Sequence, residues 1–212
     1  MRLSRTIGKV AAVVLLASAA IVARAQDSGD NWNFPDFTAI QRLGLGQRSL
    51  TMKVYWSGAN VRVEESPTLA TLYLPATGNV YRLTVYADKT RQCIVMTAAQ
   101  AKDLLPHPLE LLHGTKVKRT PAGTDTVDGH SCKVENVVVT KADGRTIESK
   151  VWEADDFKGA PVKIESTTEH GKIGALYGDI TFAPLDKALF TAPDKCIPYD
   201  KMGQVVEQKI VQ

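Results

Sequence analysis

Four histidines, three cysteines and a few adjacent carboxylates are the residues of this chain whose types could do chemistry. His107 and His113 flank a Pro-Leu-Glu-Leu-Leu stretch, a spacing that no standard zinc site uses. His170 stands apart from both, and no CxxC or HExxH motif occurs. Asp128-Gly129-His130-Ser131-Cys132 sets a base next to two nucleophiles. Neighbours on a strand point to opposite faces, however, so His130 and Ser131 would not meet, and the run reads as a turn entering a strand. Glu64-Glu65 and Asp155-Asp156 are adjacent carboxylates, which adjacency alone does not aim at one substrate atom. Gly44-Leu45-Gly46 lacks the preceding strand and following helix of a dinucleotide loop and reads as a helix end. The spacing therefore predicts no catalytic residue, no metal and no cofactor, and a chain that is not an enzyme.

The cysteines point to a compartment instead. Cys93, Cys132 and Cys196 allow one disulfide plus one thiol, in three pairings, or three buried small side chains. A Cys132–Cys196 bridge is the favoured pairing, since it would staple the last segment to a strand.

Stepping along the chain, residues 1–25 read as a cleaved secretory signal of bacterial type. Arg2, Arg5 and Lys9 precede the apolar run Val10 to Val22, and Ala23-Arg24-Ala25 supplies a small-x-small cleavage site. An uncleaved N-terminal anchor is the alternative. No cysteine near the cleavage point offers a site for lipid attachment. Of the 26 basic residues, four (Arg2, Arg5, Lys9, Arg24) fall in this stretch, and none of the 23 acidic ones does, which leaves 22 against 23. The apparent basicity belongs to export, so no nucleic-acid surface is expected. The remaining about 187 residues suit one domain, expected over 26–202, with 203–212 as a tail or edge strand. No apolar run after the signal reaches membrane-spanning length. The expected location is periplasmic or otherwise exported, in a Gram-negative type of bacterium.

Two-residue alternation dominates from residue 48 to 183. Met52, Val54 and Trp56 alternate with polar or aromatic neighbours, Ser57 to Asn60 turns the chain, and Val61 and Val63 continue it as a hairpin. Leu72 and Leu74, Leu83 and Val85, Gln92 to Met96, Lys133 to Lys141, Thr146 to Ala154, Val162 to Thr168 and Ala175 to Phe182 extend the pattern. Helices are few. Asn33 would cap one carrying Phe37, Ile40 and Leu43 on one face, Thr97 a second over 98–105, and Leu185 to Leu189 a last short piece. The fold class expected is mainly β with minor α: a single, strongly curved antiparallel sheet forming an unclosed barrel, with short helices over its concave side.

That inventory poses a question of area. Roughly eight to ten strands at ~4.8 Å each span about 40 Å. Two short helices, each ~10 Å wide, cannot cover one face of such a sheet. The sheet must curl, and its hollow is filled by side chains or by a guest. Alternation nominates Met52, Val54, Trp56, Leu83, Val85, Val162, Ile164, Ile180 and Phe182 as lining. Arg62 and Arg82 alternate with the apolar side and are expected in solvent.

The ordered series Val127-Asp128-Gly129-His130-Ser131-Cys132-Lys133-Val134, Lys150-Val151-Trp152-Glu153-Ala154, Gly159-Ala160-Pro161-Val162-Lys163, Pro184-Leu185-Asp186 and Leu189-Phe190-Thr191-Ala192-Pro193 resembles a family. It is similar to exported bacterial proteins related to the periplasmic lipoprotein carriers of the LolA/LolB type, including an uncharacterised subgroup of the DUF4412 kind. The resemblance spans roughly residues 35 to 198. It implies a curled, unclosed sheet that holds acyl chains in its concave face, with a hydrophobic ligand or acylated lipoprotein as partner. A relative acting by protein binding implies the alternative, an envelope protein-interaction or stress-sensing module, in which Val205, Val206, Ile210 and Val211 could add a strand to a partner. An exported hydrolase is the third reading.

Overall fold

The computed structural model describes residues 26–27, 35–45, 48–101, 116–140, 144–168 and 171–202. The expected signal, His107, His113, His170 and the 203–212 tail lie outside them. The strands are β1 (Gln26–Asp27), β2 (Phe37–Leu45), β3 (Arg48–Ser57), β4 (Asn60–Ser66), β5 (Leu69–Leu74), β6 (Asn79–Val85) and β7 (Arg91–Thr97). A four-residue helix, α1 (Ala98–Ala101), follows β7. Then come β8 (Lys116–Val127), β9 (His130–Thr140), β10 (Thr146–Ala154), β11 (Pro161–Thr168), β12 (Gly171–Phe182) and β13 (Ile197–Pro198).

The thirteen described strands form one curved, unclosed sheet in the order β1-β8-β9-β10-β11-β12-β2-β3-β4-β5-β6-β7-β13. It consists of two meanders, β2–β7 and β8–β12, joined where β12 runs antiparallel to β2. Every pairing is antiparallel except the parallel contact of β13 with β7. Hairpin turns carry the residues their geometry demands. At β8–β9, Asp128 and Gly129 both have positive φ, at 48° and 86°, as a two-residue turn matching the strand twist requires. Among the described residues no helix is long and apolar enough to cross a membrane.

Strict alternation gives the sheet two unlike faces. One carries a continuous apolar cluster running from Val117, Val137 and Val139 through Ile164, Ala175 and Phe37 to Val54, Val61, Val80 and Met96. Burial of each such side chain contributes about 1.5–3 kcal/mol, so this face fixes the register of nearly every strand. The opposite face carries two smaller clusters. One holds Cys132, Val134, Trp152, Ala154 and Val162. The other holds Leu72, Leu74, Tyr81 and Cys93, with Phe190, Ala192 and Cys196 of the C-terminal segment packed on it.

Two expectations are corrected. Residues 37–45 form a strand, not a helix: Phe37, Ala39, Gln41 and Leu43 are the buried set. The small Ala39 and polar Gln41 hide that alternation, and Phe37, Ile40 and Leu43 imitate a helical face. The disulfide joins Cys93 to Cys196, and Cys132 is a buried thiol. The reason is that the C-terminal segment returns to the β7 edge, where Ile197 pairs with Ile94 beside Cys93. A strand that the alternation did not mark is β8, twelve residues long despite Pro121 and Gly123: Gly123 falls in a register shift between Pro121 and Thr124 near the sheet edge, and Pro121 borders it. Of the other expected helices, α1 covers the start of 98–105, and a 3-10 turn at Lys187–Phe190 replaces the last.

Candidate functional site

Met52, Val54 and Trp56 of β3 lie side by side in the large cluster, together with Ile164 of β11, and Ile180 and Phe182 pack against it. An aromatic group closes one end of this face. The rings of Phe37 and Trp56 are 5.5 Å apart, and those of Phe37 and Phe182 are 6.0 Å apart, edge to face. The other nominated residues sit elsewhere. Val162 belongs to the cluster around Trp152, beside the register shift at Trp152/Glu153. Leu83 packs under the C-terminal segment with Leu72 and Cys93, and Val85, two residues along β6, shares its parity. Alternation thus holds along β3 but breaks within β11 at the register shift, and the relation between distant strands needs the register.

Among the polar features of the large face that alternation did not mark, two stand beside the nominated residues. Gln41 (0% exposed) faces Met52 on β3 and Tyr177 (4% exposed) on β12. Among the described residues, neither the Gln41 amide nitrogen and oxygen nor the Tyr177 hydroxyl has a hydrogen-bond partner. Burial pushes the Tyr177 hydroxyl above the ordinary tyrosine range, so it stays protonated and a donor. The only signal for Gln41 was its parity with Phe37, Ala39 and Leu43.

The second feature is an ion pair. Arg82 donates from both terminal nitrogens to Glu65, at 3.0 and 2.9 Å, and the Thr71 hydroxyl donates to the same carboxylate at 2.7 Å. Arg82 lies across from Thr71, which lies across from Val63, so it belongs to the large face. The expectation that Arg82 stands in solvent is therefore corrected; pairing lets a charge occupy a core position. Arg62, on the other face, is half-buried, bonded to Glu64 at 3.1 Å and to the Leu189 carbonyl at 3.5 Å.

The described residues nominated for chemistry do not converge. His130 Nδ1 is 2.6 Å from Asp156 Oδ2, and its ring lies 4.5 Å from Phe157. This ties the β8–β9 turn to the 3-10 turn at Asp155–Phe157. Ser131 is exposed, and Cys132 donates its thiol to the His130 carbonyl at 3.3 Å. Burial pushes that thiol up, away from the reactive thiolate. Among the described residues no group of three or more His, Cys, Asp or Glu could hold a metal ion.

A surface depression of about 720 Å³ lies across β9–β12, where Val137 and Ile173 of the large cluster line it together with Glu148, Lys150, Glu165 and Lys172. The four charged side chains are exposed and of mixed sign, Val137 and Ile173 are buried, and none of the nine nominated lining residues borders the depression.

No family model matches this chain, so its likeness to the DUF4412 kind rests on the motifs quoted above. No curated protein matches it either. Solved structures similar to it include a LolA superfamily protein from Nitrosomonas europaea, at 12% identity, covering 77% of this chain and 93% of that one, with a TM-score of 0.40. The Mycobacterium tuberculosis lipoprotein LppX is 13% identical over 73% of this chain and 90% of its own, with a TM-score of 0.39. A chain of the Pseudomonas aeruginosa MucA/MucB complex is 18% identical over 76% of this chain and 56% of that one, with a TM-score of 0.40. With identities and scores this low, the fold rests on the chain's own topology.

Proposed function

We propose that this chain is an exported binding or carrier protein that holds a lipid-like or acyl ligand, alone or attached to a protein, against the large apolar face of its curled sheet. The observation that supports this is the extent of that face. Its apolar cluster draws on strands from β8 to β7, and the described elements outside the sheet are one four-residue helix and four 3-10 turns of three or four residues. Each CH₂ of an acyl chain kept from water contributes about 0.8 kcal/mol, so a protein carrying one needs a shielded apolar lining of this kind. Met52, Val54, Trp56 and Ile164 are the lining we favour. Residues 1–25 would export the chain, and the Cys93–Cys196 bridge suits an oxidising compartment.

Native mass spectrometry after gentle purification tests this. The expected result is a set of added masses in the lipid range that organic extraction removes. A compact protein that carries no such mass, and takes up none from lipid vesicles, would overturn the reading.

A second reading has its own support. β1 pairs with β8 only at Lys118 and Arg119, so most of the outer edge of a twelve-residue strand has no described strand beside it. Such an edge can accept a partner's strand. If protein binding is the function, hydrogen exchange should slow across Lys116–Val127 on complex formation and leave β3 unaffected.

A further inference from the structure

Hydrogen-bonding atoms shut away from water almost always have partners, and each orphan calls for an explanation. Gln41 and Tyr177 present three such atoms on the two strands that join the meanders, directly across from each other. Residues at paired positions place their Cβ atoms about 4.5–5.5 Å apart, so both polar ends serve one small region. Around them on the same face stand Ala39, Leu43, Met52, Val54 and Ala175, all buried and apolar. No charged side chain is among these neighbours.

From this arrangement we infer that Gln41 and Tyr177 form a subsite for a neutral carbonyl group, an ester or amide attached to the hydrocarbon chain. The inference rests on the carrier reading above and narrows its ligand class. The Tyr177 hydroxyl and the Gln41 Nε2 group are donors, and a carbonyl oxygen has two lone pairs to receive them. The Gln41 oxygen remains to accept from an amide N–H or a hydroxyl next to that carbonyl. A carboxylate would meet the same donors, but its full charge would be buried with no cation beside it among the described residues. A bare hydrocarbon would leave all three atoms without partners. The subsite thus selects acyl esters or amides over free fatty acids and over alkanes, and it fixes the chain's depth by its head rather than its tail.

The test uses the delipidated full-length mature protein and three probes of equal chain length: methyl hexadecanoate, hexadecane and the hexadecanoate anion. Wild type should bind the ester about tenfold more tightly than the alkane and the anion, which corresponds to about 1.4 kcal/mol. Tyr177→Phe and Gln41→Leu should each reduce the ester's advantage over the alkane at least threefold while alkane affinity holds or improves. Both unliganded variants should melt at or above the wild-type temperature, since each removes orphaned atoms; this also reports that they fold. An ester preference that survives in both folded variants overturns the subsite, leaving an ordered water as the partner of these atoms. Equal binding of ester and alkane by wild type, or preference for the anion, overturns it as well and leaves the carrier reading intact. A wild-type protein that binds none of the three overturns both.

Discussion

Replacing Cys93 with alanine is the most exacting test of how the C-terminal segment is held. The bridge spans a sequence separation of 103. A loop of that length, closed in the unfolded chain, loses entropy worth about 4.7 kcal/mol at 25 °C in the chain-entropy treatment. The measured loss should fall below that ceiling, at about 2–4 kcal/mol, for a local reason. Without the bridge, the segment is kept by the two-residue pairing of β13 with β7 and by Phe190 and Ala192 on the Leu72–Tyr81 cluster. It can detach while the meanders stay folded, so part of the cost appears as local opening. The assay is urea unfolding followed by tryptophan fluorescence, with hydrogen exchange at Leu72 and Tyr81 as the local probe. Cys93→Ala, Cys196→Ala and the double variant should lose the same amount, because each removes one and the same bond. Cys132→Ala should cost about 1 kcal/mol, the price of a small cavity. If Cys132→Ala matched Cys196→Ala while Cys93→Ala were neutral, the pairing and the return path of the segment would both be refuted.

Two further predictions concern charge. Arg119 sits between Glu135 and Glu153 on the large face, forming ion pairs with both. Burial raises the Glu153 carboxyl, a shift that Arg119 partly opposes. A raised carboxyl stabilises the fold below its unfolded pKa and loses that contribution as pH rises through the folded pKa. Arg119→Met should therefore cost about 3 kcal/mol at neutral pH, and melting temperatures between pH about 4 and 7 should show the loss shrinking as pH falls. Asp125 runs the other way: the Trp152 indole donates to it at 2.9 Å, and this contact leads the causes that hold its pKa below the ordinary value. Its contribution is present above the unfolded pKa and disappears as pH falls through the folded one. Trp152→Phe should return the Asp125 carboxyl toward its ordinary value, read by NMR titration.

The strands that alternate cleanly were legible because each has a clear apolar side. Met52, Val54 and Trp56 lie together as their parity requires, and the β3–β4 hairpin turns where Ser57 to Asn60 says it should. Legibility failed wherever a polar residue took a core position or a breaker took a strand position. Gln41 turned a strand into an imitation of a helix, and Arg82 looked solvated because its partners, Glu65 and Thr71, are distant in sequence. Pro121 and Gly123 hid β8 because their acceptance depends on a bulge near the edge. Leu83 and Val85 fell on the other face for a related reason: parity is local, while register accumulates every turn and shift between two strands. The disulfide depended on where a long return segment ends, which no cysteine spacing encodes. The residues that give the large face its most specific chemistry are thus the ones that break its pattern.

The joint between β2 and β12 has a further consequence for how the molecule is made. A chain emerging N-terminus first, from a ribosome or through a membrane, completes its first meander some seventy residues, in order of magnitude, before β12 exists to meet it. Until then the β2 flank stands bare, and the β12 of a neighbouring copy fits it as well as the β12 still to come. Crowded nascent chains should therefore err by exchanging halves, producing reciprocal dimers whose interior is indistinguishable from that of the monomer.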